Sequence, residues 1–498
     1  MSNNIIHGET PHKDFISIRP VASSLLALYS FFPIFESVQL FVTRIVCALE
    51  FVTIVWFWLQ IMIRFSSKRV PNVFIVAITI IATTINIHDF PLMAWHTIDG
   101  LFFCSVAIYI RTRHHAKPTN FSVLFSYLFL GIAVLCKQSF APMIIVSLIV
   151  FHDYKRIFPY IGILLFPLVY FGWITVNGGF FDIAVQLTAQ SKVLGVGFKR
   201  YLIDFWFLGG IFVGISFWLS QLRFNEQNKQ TVNIFFLSLM VLFLLIDLTI
   251  GNNLSKSSVF LFGVFISITI KEILVKRPTV IVVVLVTVLA WSSALSIGYS
   301  FPPLLSGGMV LVLFLILDIE IPNNWKTTSL SFVLIVCFVT SFVFARTTKI
   351  YREQSAQHLH YQLGEVLING KGIYTNANTF FFLYDVQAIR KKHHQKVIVF
   401  APDMAGLYSS MQYSQPTISP WARDIELPSH SLKTQFEQNV EELTKTQSLF
   451  VISKYKVDSL AYKLITFNTE TSDSPIVRFA KNNLHLVDST RFFYIYTK

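Results

Sequence analysis

The chain has little charge for a protein of its length. Only 13% of its 498 residues are Asp, Glu, Lys or Arg, whereas soluble domains average about 25%. Hydrophobic residues make up 54%, and apolar runs near 20 residues recur over the first 345 positions. Each run is long enough to cross a hydrocarbon core of about 30 Å. This pattern predicts a polytopic α-helical membrane protein.

Cysteine is scarce, and internal repeats are absent from the sequence. The four cysteines, Cys47, Cys104, Cys136 and Cys337, all lie in apolar runs. Their spacing supports no disulfide framework and no CxxC metal site. We therefore expect each of them to be a small buried hydrophobic residue.

Acidic residues are outnumbered, with 27 Asp and Glu against 40 Lys and Arg. The basic residues concentrate in alternate loops: "RFSSKRV", "RTRHHAKP", "HDYKR", "RFNEQNK", "KEILVKRP" and "PNNWK". The positive-inside rule places these loops in the cytoplasm, so the excess charge does not indicate nucleic-acid binding. The predicted spans are 38–63, 70–87, 92–110, 120–136, 139–151, 157–176, 201–221, 231–250, 257–273, 279–298, 303–319 and 328–345.

Two features complete this predicted topology. Segment 20–35 is too short to span comfortably, so we expect an interfacial helix on the outer face. Residues 120–151 could form one long tilted helix or two short ones that turn at Lys137. Two short spans keep every later basic loop in the cytoplasm, and we prefer them for that reason.

The composition changes at residue 346. "KGIYTNANTFFFLYD" and "KVIVFAPDM" resemble strands that end at Asn, Pro or Asp, and "SLKTQFEQNVEELTK" resembles a soluble helix. The sequence therefore predicts two domains. Residues 1–345 would form the transmembrane domain, and residues 346–498 would form a small α/β domain outside the cytoplasm.

The stretch "NIHDFPLMAWHTIDG" places two acids and two histidines between apolar runs: His88, Asp89, His96 and Asp99. We expect a loop over 86–91 on the outer face and a span from about Leu92. Asp89 would then lie near a helix N-terminus, where the helix dipole favours an anion. His96 and Asp99 share one helix face. They could form a structural pair, but acids inside a membrane more often line functional cavities.

Further polar groups fall on the same predicted side of the membrane. Asp14 and Arg19 precede the interfacial segment, and Lys137 lies at a short outer turn. Lys137 could extend to the headgroup region or bind a phosphate. Lys192 lies in loop 177–200, which has the length of a functional lid. A carboxylate here could act as general base on a hydroxyl, while cations stabilise a departing phosphate.

The order of these motifs resembles a known family. "HKDFISIRPVASSLLALYSFFPIFESVQLFVTR", "WHTIDGLFF" and "GIAVLCKQSFAPM" are similar to segments of polytopic (GT-C) glycosyltransferases of the protein O-mannosyltransferase and lipid A aminoarabinose transferase type (glycosyltransferase family 39, RgtABCD-like). "GKGIYTNANTFFFLYD" and "VFAPDM" resemble the outer domain of some bacterial members. The resemblance covers nearly the whole chain.

This resemblance implies a GT-C-like helical bundle in a bacterial inner membrane. It implies transfer of a sugar from a polyprenyl-phosphate donor to a lipid, cell-envelope glycan or protein acceptor. We assign Asp14 and Asp89 as the candidate catalytic bases. The candidate substrate contacts are Arg19, His88, His96, Asp99, Lys137 and Lys192. No cofactor is required by the motifs, although His88 and Asp89 could hold a divalent cation.

The chain also departs from the family. Members begin with a span that is followed by an acidic catalytic residue, and here the chain begins inside the first external loop. A start codon placed too far downstream is the explanation that we prefer. A remnant without activity, or another acid that substitutes, are the alternatives.

Two other functions compete with the transferase. A flippase or transporter of lipid-linked sugars would have repeated halves and broken helices near the membrane midplane. An O-antigen polymerase or ligase would carry a large external loop between spans. The clustering of polar residues at one face favours the transferase.

Overall fold

A computed structural model describes the chain except for residues 67–69, 90, 91, 94, 116, 190–198, 223–225, 251–254, 296–320, 349–353, 403, 412, 428, 462 and 468–471. The helices of the apolar region are α1 Ser2–Ile6, α2 Ala22–Leu26, α3 Gln39–Phe65, α4 Asn72–Asp89, α5 His96–Arg113, α6 Asn120–Cys136, α7 Ala141–Val150, α8 Phe158–Val176, α9 Phe180–Thr188, α10 Phe205–Gln221, α11 Glu226–Ile250, α12 Ser255–Val275, α13 Val280–Ala294 and α14 Trp325–Thr348.

These helices occupy every predicted span except 303–319, which lies outside the described residues. Within the described part of the chain, five helices are long and apolar enough to cross a membrane: Pro33–Phe65, Phe158–Val176, Asn228–Ile250, Lys256–Val275 and Trp325–Thr348. Several shorter apolar helices of 10–17 residues accompany them. The chain is a polytopic helical membrane protein with a small C-terminal α/β domain, as the sequence predicts.

The predicted break at Lys137 is confirmed. Helix α6 ends at Cys136, a 3-10 turn spans Gln138–Phe140, and α7 follows at once. Pro142 lies in the first turn of α7, where its missing N–H leaves no intrahelical bond unmade. With ten residues, α7 is about 15 Å long, so it reaches only about half of the distance across a hydrocarbon core.

Segment 20–35, which the sequence predicts to lie at the membrane interface, is helical but interrupted. It contains α2, and 3-10 helices follow at Ala27–Phe31 and Pro33–Val38. Phe32 lies between the two 3-10 helices with ψ 139°, an extended conformation, because a residue before proline is sterically excluded from the helical region.

The C-terminal region is a mixed α/β fold. Its helices are α15 Ala377–Lys392, α16 Gly406–Met411, α17 His430–Lys445 and α18 Pro475–Asn483, and its strands are β1 Tyr361–Gln362, β2 Tyr374–Thr375, β3 Ile398–Ala401, β4 Leu449–Ser453, β5 His485–Ser489 and β6 Phe493–Thr497. A four-stranded sheet has the order β3-β4-β6-β5. Strands β3 and β4 are parallel, and the remaining neighbours are antiparallel.

Alternation along strands β3 and β4 divides the core of this sheet into two layers. Ile398 and Phe400 of β3 pack into the cluster that contains Phe382 of α15. Val399 of β3 packs on the opposite face, in the cluster that contains Phe436 of α17. Successive side chains of a strand point to opposite faces, so helices cover this sheet on both sides.

The chain forms two compact units. The mixed unit comprises Met1–Arg44, Val169–Ser191 and Arg352–Lys498, and the helical unit comprises Ile45–Leu168 and Lys192–Tyr351. The division into domains at residues 1–345 and 346–498 stays a prediction. The mixed unit nevertheless contains N-terminal segments in addition to the α/β fold.

Close backbone packing joins α10 to α12 in the helical unit. A Cβ atom on Gly210 would lie 2.1 Å from the carbonyl oxygen of Phe260, and one on Gly263 would lie 2.2 Å from that of Phe207. Membrane helices often associate through such small residues, which let the two backbones approach. Gly131 of the family-like motif has the same role, because its Cβ would lie 2.7 Å from the Ile163 oxygen.

The cysteine prediction is confirmed for Cys47, Cys104 and Cys136, which are buried. It is wrong for Cys337, which is exposed on α14. An exposed thiol on an apolar helix is compatible with a lipid-facing surface, where burial within the protein is not needed to remove it from water.

Candidate functional site

The stretch around His88 differs from its prediction. Helix α4 continues through Asp89, and α5 begins only at His96. The predicted loop over 86–91 is therefore wrong for residues 86–89, which complete the last turns of α4. Asp89 ends one helix instead of preceding the next. Its side chain lies outside the described part of the structure, so its catalytic role stays a prediction.

Asp99 lies in the first turn of α5 and is 7% exposed. Its carboxyl group lies close enough to that of Glu50, which α3 contributes, for the two groups to interact electrostatically. Two ionised carboxylates are acceptors only, so a hydrogen bond between these two groups would require a shared proton. The helix N-terminus adds a dipole that favours negative charge at Asp99. We call Glu50 and Asp99 the carboxyl pair.

Glu50 was missed by the sequence analysis because it belongs to no motif. One signal was available, since Glu50 is an acid inside the 27-residue apolar helix α3 and intramembrane acids indicate function by default. The thiols of Cys47 and Cys136 are close enough to interact electrostatically with both acids. Two thiols therefore lie beside the carboxyl pair.

His88 is buried against the last turns of α14. Its ring meets the edge of Phe342 at 6.3 Å between centroids. The guanidinium of Arg346 lies 5.3 Å from the same Phe342 ring and donates a hydrogen bond to the Ile87 carbonyl. Neither ring nitrogen of His88 has a hydrogen-bond partner among the described residues. Buried polar atoms without a partner cost stability, so a bound water or ligand group would be favourable here.

Arg346 was not among the predicted site residues. In the sequence it stands at the composition break and counts as the first residue of the C-terminal domain. The structure instead places it in the last turn of α14, in the helical unit. A cation at a helix C-terminus is stabilised by the dipole.

Lys137 is 3% exposed and donates a hydrogen bond of 3.0 Å to the Ser293 carbonyl in the last turn of α13. Ser139 donates to the neighbouring Ser292 carbonyl at 2.8 Å. The turn after α6 therefore satisfies two terminal carbonyls of α13 that have no intrahelical partner. This contact gives Lys137 a structural function, and its predicted phosphate contact stays a prediction.

Asp14 and Arg19 belong to the mixed unit. A carboxylate oxygen of Asp14 accepts a 2.7 Å hydrogen bond from the Thr10 backbone N–H, which closes a local turn. Both residues are half-buried. The structure thus describes a conformational role for Asp14, and its role as a base stays a prediction.

His12 of the same segment was also missed. It is fully buried, and its ring nitrogens lie 2.9 Å from Gln186 Oε1 and 2.6 Å from the Tyr170 hydroxyl. Gln186 in turn donates to the His12 carbonyl and accepts from the Ser17 backbone N–H. Burial lowers the pKa of His12 below its ordinary value. The network fixes the N-terminal segment to α8 and α9.

His96 is half-buried and meets Trp95 edge to face, with ring centroids 5.8 Å apart. Lys192 lies outside the described residues. Within the described part of the chain, no group of three or more His, Cys, Asp or Glu side chains could hold a metal ion. The divalent cation considered at His88 and Asp89 cannot be placed there, since the Asp89 side chain is not described.

Fold and site together define a class: a polytopic helical membrane protein with buried acids, a buried histidine and a small α/β domain. No family model matches the chain, and no curated protein matches it. Among solved structures, the crystal structure of ArnT from Cupriavidus metallidurans bound to undecaprenyl phosphate is similar. The two chains are 9% identical, with a TM-score of 0.41, over 99% of this chain and 91% of that one. A likeness this distant assigns no residue role.

Proposed function

We propose that the chain is a membrane glycosyltransferase. It would move a sugar from a polyprenyl-phosphate donor to a lipid, cell-envelope glycan or protein acceptor at the outer face of the bacterial inner membrane. The carboxyl pair carries the proposal, because Glu50 lies within the apolar helix α3 and Asp99 is buried in the first turn of α5. Acids are retained inside membrane helices chiefly where function requires them, and the motif order described above supplies the class of reaction.

The proposed step is a displacement at the anomeric carbon of the donor sugar. A carboxylate takes the proton of the acceptor hydroxyl, and the acceptor oxygen bonds to the anomeric carbon. The bond from that carbon to the donor phosphate oxygen breaks, and polyprenyl phosphate leaves with the bonding electrons. Asp14 and Asp89 are our proposed bases, and the carboxyl pair is a third candidate.

Cations would stabilise the leaving phosphate in this proposal, because negative charge develops on it as the bond breaks. Arg19, Lys137 and Lys192 are the proposed contacts from the sequence, and Arg346 joins them from its position beside His88. The remaining proposed substrate contacts are His88, His96 and Asp99.

The test is turnover in proteoliposomes that contain a radiolabelled polyprenyl-phosphate sugar and membrane-extracted acceptors. Loss of a general base lowers turnover by about 10²- to 10⁴-fold. We expect this loss from at least one of Asp14→Asn, Asp89→Asn and Asp99→Asn. Glu437→Gln, an exposed position on α17, is the control and should leave turnover unchanged.

Three results would argue against the proposal. If the wild-type protein forms no labelled product from any acceptor, the proposed transferase activity is excluded. Donor that crosses the membrane without transfer would favour the flippase instead. Full turnover in all three variants would exclude Asp14, Asp89 and Asp99 as the catalytic base. Repeating the assay with a chelator decides whether a divalent cation takes part.

A further inference from the structure

Three cations meet at one end of the helical unit, where the turn after α5 and the turn after α7 come together. The Arg156 guanidinium donates a 3.4 Å hydrogen bond to the Pro118 carbonyl, although the two residues are 38 positions apart. Lys117 precedes Pro118 and Lys155 precedes Arg156, so the same contact brings both lysines to this end. We call Lys117, Lys155 and Arg156 the cation cluster.

Acids are scarce around the cation cluster. Asp153 is the only acid between positions 100 and 181 of the sequence. Its carboxylate is buried and accepts two hydrogen bonds, of 2.6 and 3.1 Å, from Arg111. Arg156 Nε lies 3.7 Å from the same carboxylate. The two lysines of the cluster are exposed and form no ion pair within the described part of the chain, so the cluster presents an excess of positive charge.

Two tyrosines indicate that the cation cluster lies at the depth of the lipid headgroups. Tyr154 and Tyr160 are 46% and 40% exposed, and the Tyr160 hydroxyl donates a 2.9 Å hydrogen bond to the Tyr154 carbonyl. Tyrosine is enriched where membrane and water meet. The Lys155 ammonium lies 5.7 Å from the centre of the Tyr154 ring, so this cation has the same depth as the tyrosine.

An apolar track runs from the cation cluster along α8. Four exposed residues recur at intervals of three or four positions: Ile157, Ile161, Leu164 and Leu168. Such spacing places them on one face of the helix. Because α8 is long and apolar enough to cross a membrane, this face is suited to contact with an acyl chain.

Helix α7 contributes a second apolar track. Ile145 and Ile149 are one helical turn apart, and each is 59% exposed. The helix ends at Val150, directly before the turn that carries Lys155 and Arg156. Two apolar tracks beside one group of cations match a lipid with one anionic headgroup and two acyl chains.

We propose that the cation cluster binds the phosphate group of an anionic diacyl phospholipid, whose acyl chains lie along α7 and α8. Lysine binds phosphate as a compact charge, and arginine can donate two parallel N–H groups to it. Basic sites between membrane helices are suited to such headgroups. The positive-inside rule predicts that this site faces the cytoplasm. The site is independent of the proposed transferase activity, because it contains none of the candidate catalytic or substrate-binding residues.

The experiment is a lipid titration of the full chain in neutral detergent micelles, read by native mass spectrometry. Dioleoyl phosphatidylglycerol is the anionic probe, and dioleoyl phosphatidylcholine is the neutral one. We expect saturable binding of the anionic lipid and weaker binding of the neutral lipid. Lys117→Gln/Lys155→Gln should weaken phosphatidylglycerol binding about 25-fold, since each cation near an anionic lipid contributes about fivefold.

The matched control is Lys276→Gln/Arg277→Gln, which removes two exposed cations from another predicted cytoplasmic turn. It should bind phosphatidylglycerol like the wild type. Equal weakening by the two double variants would overturn the proposal, because it would show a general attraction to positive charge. Equal binding of the anionic and neutral lipids by the wild type would overturn it as well.

Two further probes need only the wild-type protein, so they do not depend on the folding of a variant. Lyso-phosphatidylglycerol keeps the headgroup but has one acyl chain, and undecaprenyl phosphate carries its phosphate on a single polyprenyl chain. Both should bind more weakly than dioleoyl phosphatidylglycerol. A lyso-lipid of equal affinity would reject the two apolar tracks, and undecaprenyl phosphate that displaces phosphatidylglycerol at equal concentration would reject a diacyl lipid as the occupant.

Discussion

The carboxyl groups of Glu50 and Asp99 lie within interaction distance of each other between helices α3 and α5. Each side chain lies in an apolar region where an isolated polar group would be costly. Their contact means that the two acids behave as a unit. Replacing one acid therefore changes the state of the other.

This relationship predicts a non-additive effect on stability. Glu50→Leu leaves Asp99 buried without its partner and should lower the free energy of unfolding by about 1–3 kcal/mol. Glu50→Gln should cost less, because its amide can donate to the Asp99 carboxylate. Thermal unfolding in detergent measures each change. The Glu50→Leu/Asp99→Leu double variant should lose less stability than the sum of its single variants, and strict additivity would show that the two side chains do not interact.

A buried ion pair joins the end of α5 to the turn after α7. Arg111 Nε lies 2.6 Å from Asp153 Oδ2, and Nη2 lies 3.1 Å from Oδ1. The Tyr127 hydroxyl is 3.3 Å from the same Asp153 carboxylate. Removing Arg111 leaves the buried Asp153 carboxylate with only the half-buried Arg156, whose Nε lies 3.7 Å from Oδ1. Arg111→Leu should therefore destabilise the protein by up to about 3–5 kcal/mol.

Chemical denaturation in mixed micelles measures the effect of Arg111→Leu. The matched control is Arg113→Leu, two positions along at an exposed site, which should change stability by less than about 1 kcal/mol. Replacing both Arg111 and Asp153 by leucine should restore most of the loss. Equal effects of Arg111→Leu and Arg113→Leu would contradict a structural ion pair.

The buried His12 predicts a dependence of stability on pH. Burial lowers its pKa in the folded protein, so the unfolded chain binds a proton more readily than the folded one. The neutral His12 ring contributes its full share to the free energy of unfolding above about pH 6.5, the ordinary pKa of histidine. This contribution is lost as the pH falls below that value, because the unfolded chain then binds the proton first. His12→Gln should flatten this decline in thermal unfolding between pH 8 and pH 5, while His394→Gln, at an exposed site, should not. An unchanged pH dependence in His12→Gln would show that other groups cause it.

The contact of α10 with α12 predicts a difference between adjacent glycines. A methyl group on Gly210 would lie 2.1 Å from the Phe260 oxygen, whereas one on Gly209 would have nothing within 4 Å. Gly210→Ala should therefore force the two backbones apart and lower the melting temperature by several degrees. Gly209→Ala should be neutral or slightly stabilising, since alanine favours helix. Equal melting temperatures for the two variants would show that this backbone approach contributes no stability.

Much of the fold could be predicted from the sequence because its signals are local. The apolar runs determine where helices form, since hydrophobic length and backbone hydrogen bonding leave few alternatives in a membrane. The charge pattern correctly separated α6 from α7 at Lys137, and Pro142 marks the start of α7. The change of composition at residue 346 likewise predicted the small α/β fold.

The predicted helix boundaries around His88 were wrong because a long-range contact decides the structure there. Polar residues and Pro91 suggested a loop from 86, but the turn of α4 that contains His88 and Asp89 is held by helix–helix contact. Arg346 of α14 donates to the Ile87 carbonyl there. Such a contact joins positions 259 residues apart, and no local pattern reveals it.

The candidate site could be predicted only in part from the sequence, for the same reason. The sequence by itself determined that Asp99, His88 and Lys137 are polar groups in apolar surroundings, which marks them as unusual. Only the tertiary structure decided their partners: Glu50 for Asp99, the Phe342 ring for His88 and the end of α13 for Lys137. The energy of a buried polar group depends on what faces it across a helix interface, and that information is absent from the spacing of residues along one chain segment.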